Sequence, residues 1–173
     1  MCLNDSSVVK FERNNLINDA FGTSITSSFK VSDLNIYDEK NYLTLSAKHD
    51  AYENNFNYTH QRVIKIDKKN SNLHGQDNLI AINKDEKLQN IYSIRFHLYP
   101  GISAIQTMGK NSILIQIEKN KSLMFTSSAD NLILEKSIFL GRNQIINNFC
   151  ITISGSLGNR ENKNITWELK RNN

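Results

Sequence analysis

The sequence predicts an antiparallel β-sandwich of roughly ten or more short strands. Three observations predict it. Apolar and polar residues alternate with period two along most of the chain, turn-forming residues recur at fairly even intervals, and no segment shows a convincing amphipathic helix. With 173 residues, 39% of them hydrophobic, the chain is long enough for one domain with a real core. Residues 1–173 are therefore read as one all-β unit.

Taken in order, the first stretch to stand out is residues 12–28, where Asn14, Asn15, Asn18, Gly22 and several Ser and Thr lead us to expect a long loop. Strand alternation begins with Leu43, Leu45 and Ala47, and continues in Val63 to Ile66. It is clearest in Tyr92, Ile94, Phe96 and Leu98, which alternate with Ser93, Arg95, His97 and Tyr99. Ile113, Ile115 and Ile117 follow, then Leu132 to Leu134, then Ile145, Phe149, Ile151 and Ile153, and last Ile165, Trp167 and Leu169. The expected reversals lie at residues 38–41, 69–72, 100–101, 109–111, 119–121, 130–131, 141–143 and 155–159. All are rich in Asn, Asp, Gly or Pro, which supply the backbone angles a tight turn needs.

Composition removes several classes of function. The net charge is +4 and the pI near 9.0, but the basic residues are scattered and match no nucleic-acid-binding motif, so no nucleic-acid partner is expected. The 25 asparagines, with abundant Ile and Lys, point to A/T-rich coding as one source of the basic balance. No run approaches the ~18 apolar residues of a membrane span, and the first residues carry neither a basic segment nor an apolar run. We expect no membrane association, and a leader, if one exists, would lie upstream. Cys2 and Cys150 make no disulfide framework, and histidines at 49, 60, 74 and 97 lack zinc-type spacing. The chain contains no Gly-rich phosphate loop, Gly-x-Ser-x-Gly elbow or His-Glu-x-x-His, which disfavours nucleotide chemistry and serine hydrolysis.

Two places could carry chemistry. If Tyr92, Ile94 and Phe96 face the core, strand geometry sends Arg95, His97 and Tyr99 to the other face. A guanidinium, an imidazole and a phenol in one row suit an anionic sugar, by charge-assisted pairing and stacking. Alternatively the row is a plain polar face, with Arg95 paired to Glu118 or Glu135. The second place is His49, Asp50, Tyr52 and Glu53, followed by Tyr58, Thr59, His60 and Arg62 across what reads as a hairpin. These are general acid–base groups, or else a set of hydrogen bonds that stabilises a turn.

Several segments, in order, carry a family resemblance. They are Asn4 to Ser7, His49-Asp50-Ala51-Tyr52, Thr59-His60-Gln61-Arg62, Ile94 to Gly101, Leu134 to Leu140, Gln144 to Ile146, and Ile165 to Arg171. The chain resembles the C-terminal region of bacterial heparinase II/III-like proteins, with Ala51, Tyr99 and Lys136 departing from the family pattern. What the resemblance implies is a β-sandwich module, incomplete on its N-terminal side, from a polysaccharide lyase that cleaves uronic-acid-containing glycans by β-elimination. In such proteins the module follows an α/α-toroid domain.

The family's upstream His-x-His and Ala-His-Asn-Thr-like segments are not in this sequence. The expectation is therefore a fragment, truncated product or split protein that is inactive alone. No catalytic or metal residue is assigned, and no cofactor is expected in this chain, although a divalent metal is compatible with the full-length family protein. The expected partners are an acidic polysaccharide and a missing or separately encoded toroid. Candidate substrate-binding residues are Arg95, His97, Tyr99, His49, Tyr52 and His60. The competing reading is a stand-alone carbohydrate-binding or structural β-sandwich module. Bacterial periplasm and cytoplasm both remain open as locations. A sandwich short of strands should also expose an apolar face and be marginally stable.

Overall fold

The computed structural model describes residues 1–11, 19, 22, 24, 25, 28–82, 90–141, 144–158 and 161–172. Among them run β1 (Cys2–Leu3), β2 (Ser6–Ser7), β3 (Val31–Asp38), β4 (Tyr42–His49), the helical turn α1 (Glu53–Phe56), β5 (Tyr58–Asp67), β6 (Asn72–Ala81) and β7 (Asn90–His97). After these come β8 (Ser103–Gln106), β9 (Ser112–Glu118), β10 (Lys121–Ser127), β11 (Asn131–Gly141), β12 (Gln144–Leu157) and β13 (Lys163–Asn172). The strands form two antiparallel sheets, one of five in the order β11-β12-β7-β1-β2 and one of eight in the order β3-β4-β5-β6-β13-β10-β9-β8. The all-β sandwich expected from the sequence is the fold observed.

The core lies where the sheets' alternating faces meet. Leu3, Tyr92, Ile94, Ile151 and Ile153 come from the small sheet, and Leu79, Ile113, Phe125, Ile165 and Trp167 from the large one. Phe96 joins them, its ring 4.8 Å from Trp167 edge-on and 5.1 Å from Phe125. Such aromatic pairs add about 0.5–1.5 kcal/mol each beyond the area they bury.

Turn chemistry explains most of the reversals. Tyr99 to Ile102 is a turn in which Ile102 N–H donates to the Tyr99 carbonyl (3.2 Å). Pro100 fills its second position, and Gly101, with φ +88°, supplies the left-handed third. The expected turn at Gly155 is different. Gly155 lies inside β12 opposite Tyr92, and a Cβ there would stand 2.2 Å from Asp130 Oδ2, so this glycine serves close packing rather than reversal. Residues 142, 143 and 159 fall outside the described residues, as does most of the expected 12–28 loop; of its described residues, Ile25 forms an isolated antiparallel bridge with Phe11, just before it.

The two sheets differ in width. The β3–β4 end of the large sheet carries Val31, Leu34 and Ile36 with 58–68% of their surface exposed, and among the described residues β3 is an edge strand.

Candidate functional site

The hairpin β4–β5 positions the first group of candidate residues. Asp50 Oδ1 accepts from Lys30 N–H (2.7 Å) and its carbonyl accepts from Glu53 N–H (2.9 Å), which starts α1. Asn57, left-handed at φ 57°, ends it by donating to the Glu53 carbonyl, and Thr59 Oγ1 donates to Glu53 Oε1 (2.7 Å). With the reversal fixed in this way, β4 and β5 pair with His49 directly opposite His60.

From there a chain of hydrogen bonds runs inward. Ala51 N–H donates to His49 Nδ1 (3.3 Å), so that nitrogen is the acceptor and Nε2 carries the hydrogen. His49 Nε2–H then donates to His60 Nδ1 (2.8 Å), and His60 Nε2–H donates to Asp77 Oδ1 (2.7 Å). Arg62 Nε–H donates to the same oxygen (2.8 Å), and Trp167 Nε1–H to Asp77 Oδ2 (2.9 Å). Asp77 is fully buried, and desolvation alone would raise its pKa. The hydrogen bonds from His60 and Arg62, with the Arg62 charge, outweigh that and hold it below the ordinary value. Burial, with the His60 ring second, lowers His49 to about 4.

Tyr52 closes the group. Its ring lies 5.4 Å from His49 and 6.5 Å from His60, and its hydroxyl donates to the Met1 carbonyl (2.5 Å). Burial pushes its phenol well above the usual value. Arg62 keeps one buried donor, Nη2, without a partner.

Arg95, His97 and Tyr99 sit elsewhere, on and beyond the outer face of the small sheet. Arg95 lies opposite Thr152 and His97 opposite Cys150. Arg95 Nη1 donates to Ser93 Oγ (3.1 Å) and lies 3.7 Å from Cys2 Sγ, while His97 Nδ1 is 3.2 Å from Ser137 Oγ. Tyr99 stands past the strand end, 72% exposed, its ring 5.7 Å from Phe139. The suggested pairing of Arg95 with Glu118 or Glu135 does not form. Glu118 pairs with Lys121 (2.8 Å), and Glu135 accepts from the Thr152 hydroxyl. Met1 and Cys2 lie between the two groups, the first touching Tyr52 and the second Arg95.

Two partners in the buried chain escaped the sequence reading, Asp77 and Trp167, whereas Arg62 was named beside His60 in the second group and shares its strand parity. Asp77 stands in Gly-Gln-Asp-Asn, which reads as a turn. Both nitrogens of each imidazole and both Asp77 oxygens are occupied, so this set does not fit a metal ion, and among the described residues no cluster of three His, Cys, Asp or Glu could hold one. Cys2 and Cys150 are both free thiols.

Two stacked antiparallel sheets with a closed His–His–Asp chain define the class of the protein as an all-β sandwich module. The family model "Heparinase II/III-like, C-terminal" matches residues 1–168, and the chain belongs to that family. Among solved structures it is similar to heparan sulfate lyase HepC from Pedobacter heparinus, with TM-score 0.67 and 16% identity over 82% of this chain and 22% of that one. It is similar also to the heparinase III BT4657 gene product, with TM-score 0.62 and 11% identity over 85% of this chain and 22% of that one. A third similar structure is a heparinase III, with TM-score 0.61 and 13% identity over 83% and 21%. The chain thus spans about a fifth of the length of the structures it matches. No curated protein sequence matches it.

Proposed function

We propose that this chain is the C-terminal β-sheet portion of a lyase that cleaves acidic, uronic-acid-containing glycans by β-elimination, and that it lacks a complete active site on its own. Such a reaction needs a group to neutralise the uronate carboxylate, a base to take the C5 proton and an acid to protonate the leaving oxygen. The observation that carries the reading is the closed state of the chain's best acid–base groups. His49 and His60 spend both nitrogens inside the protein, and Tyr52 donates to a backbone carbonyl with its phenol pushed away from the range in which it would exchange protons. The reactive groups then come from an α/α-toroid domain, upstream in the same chain or separately encoded. Any divalent metal of the whole lyase belongs outside the His49–Asp77 set.

The test follows the ultraviolet absorbance of the unsaturated uronate product with heparin, heparan sulfate and alginate. No turnover is expected from the chain alone, and clear turnover by it overturns the reading. Translating the DNA directly upstream supplies the second check, toroid helices and a His-x-His segment in frame being the expected result.

A second reading, a stand-alone carbohydrate-binding module, is favoured by one observation. Among the described residues Arg95 has no carboxylate partner, and Tyr99, past the end of the same strand, is 72% exposed. Retention on an acidic-glycan column that Arg95→Ala reduces would support this strip, and indifference to the substitution leaves the module as scaffold.

A further inference from the structure

The outer face of the large sheet, turned away from the His49–Asp77 chain, carries a feature that neither reading above uses. Strand register sets seven side chains in one line across it: Tyr37 opposite Thr44, Thr44 opposite Lys65, Lys65 opposite His74, His74 opposite Glu168, Glu168 opposite Thr126, and Thr126 opposite Ser112. At ~4.8 Å between strands, that row is about 29 Å long and runs across the strands. A parallel row of Ser46, Val63, Gln76 and Thr166 lies beside it. Between the rows, short hydroxyl side chains leave a trough of about 400 Å³, within the range of ligand sites.

The charges in the trough are unevenly spent. Glu168 is taken twice, by His74 Nδ1 (2.8 Å) and Lys170 Nζ (2.6 Å). Lys65 sits 4.0 Å over the Tyr42 ring, and no carboxylate among the described residues pairs with it. The trough therefore presents an available cation among hydroxyls and an amide. At the β3 end of the row, next to Thr44 of the trough, Tyr37 has 58% of its surface exposed.

The geometry points to a glycan-binding groove across the outer face of the large sheet, centred on Lys65 and Thr126, that holds an acidic oligosaccharide segment. Lys65 pairs with a sugar carboxylate or sulfate. Thr44, Gln76, Thr126 and Thr166 exchange hydrogen bonds with sugar hydroxyls, the Val63 side chain packs against a C–H face, and Tyr37 offers its ring for stacking. The assignment rests on the acidic-glycan reading for the class of ligand alone. It adds a holding site that is separate from cleavage.

The experiment is an amide NMR titration of the chain with a heparin-derived tetrasaccharide, beside a neutral glucose tetrasaccharide. Expected are saturable shifts at Thr44, Lys65, Gln76, Thr126 and Thr166 with the acidic probe only. Lys65→Glu and Thr126→Trp should each lower its affinity at least tenfold, while Lys136→Ala, on an exposed position of the small sheet, changes it less than twofold. Lys65 is exposed, so its substitution keeps the test intact even if the tryptophan disturbs folding, which a melting curve reports. Shifts confined to Arg95 through Tyr99, with Lys65→Glu indifferent, overturn the groove and leave the acidic-glycan reading standing. No binding of the acidic probe anywhere also overturns the groove, while the lyase reading is decided by its own turnover test, and equal binding of the neutral probe overturns the role given to Lys65.

Discussion

His49 Nε2 lies 2.8 Å from His60 Nδ1, and the backbone N–H of Ala51 pointing at His49 Nδ1 fixes the direction of that bond. A proton added to His49 would face either that N–H or the donor it displaces, in a half-buried site. The same geometry makes β4–β5 sensitive to acid. Burial holds His49 at about 4 in the folded chain, below the ordinary 6.5 of a free imidazole, so the unfolded chain binds the proton more readily. The contribution of the neutral ring is complete above pH ~6.5 and declines as pH falls toward ~4. Melting temperature measured from pH 8 to pH 4 should drop through that window, and His49→Gln should flatten the drop. A profile that is level between pH 6.5 and pH 4.5 would contradict this.

Asp77 is the point where His60, Arg62 and Trp167 meet, three donors on one fully buried carboxylate. Its folded-state pKa is held below the ordinary carboxylate value, so its contribution is present above that value and is lost only on further acidification. Removing the carboxylate at neutral pH leaves Arg62 uncompensated and Trp167 Nε1 without an acceptor. Breaking a buried pair in this way costs about 3–5 kcal/mol. The lower end is expected for Asp77→Ala, since the Arg62 side chain keeps 34% exposure and can turn to water. Urea denaturation should report the loss, and a change under 1 kcal/mol would mean the network is not held as described.

Gly75 faces Trp167 across β6 and β13, and a Cβ placed on it would come within 2.0 Å of the indole Cε2 and Cζ2. The indole cannot move aside without losing its bond to Asp77 and its contact with Phe96. Overpacking of this sort costs about 1–3 kcal/mol, and Gly75→Ala should reach the upper end of that range. Trp167 is the single tryptophan of the chain, so its fluorescence reports the site directly. A red shift and a lowered urea midpoint are expected together, and an unchanged emission maximum would show that the sheet yields instead.

How much of this was legible in the sequence depended on which faces were apolar. Strand β7 was legible because Tyr92, Ile94 and Phe96 all point into one core, and the same holds for Ile113 and Ile115 in β9 and for Ile165 and Trp167 in β13. Strand β6 was not legible, because its inward residues are Leu73, Gly75, Asp77 and Leu79, and a glycine that admits an indole and a carboxylate that gathers three donors carry no hydrophobic period. Strand β3 was missed for the opposite reason, since every residue in it is exposed. In the same way the pairing of His49 with His60 followed from the hairpin, whereas their end point, Asp77, arrives from a neighbouring strand that local pattern does not reveal.

The open edge at β3 leads to the last prediction. Leu34 is 68% exposed and Ile36 62%, and Ile36 stands opposite Leu45, which stands opposite Ile64, so the exposed apolar surface continues into the half-buried face of β4 and β5. An edge of this kind is a template for pairing with another chain. The local defence is limited to a bulge at Asp33, left-handed at φ 50°, whose carboxylate meets Lys48 at 2.6 Å and bends the strand near its start only. The isolated chain should therefore associate with itself as its concentration rises. Replacing Leu34 and Ile36 together by lysine should return it to a monomer without lowering its melting temperature, because neither side chain is packed in the core. Sedimentation velocity across a concentration series distinguishes the outcomes: a wild-type chain that stays monomeric throughout would show that this edge is satisfied within the chain itself.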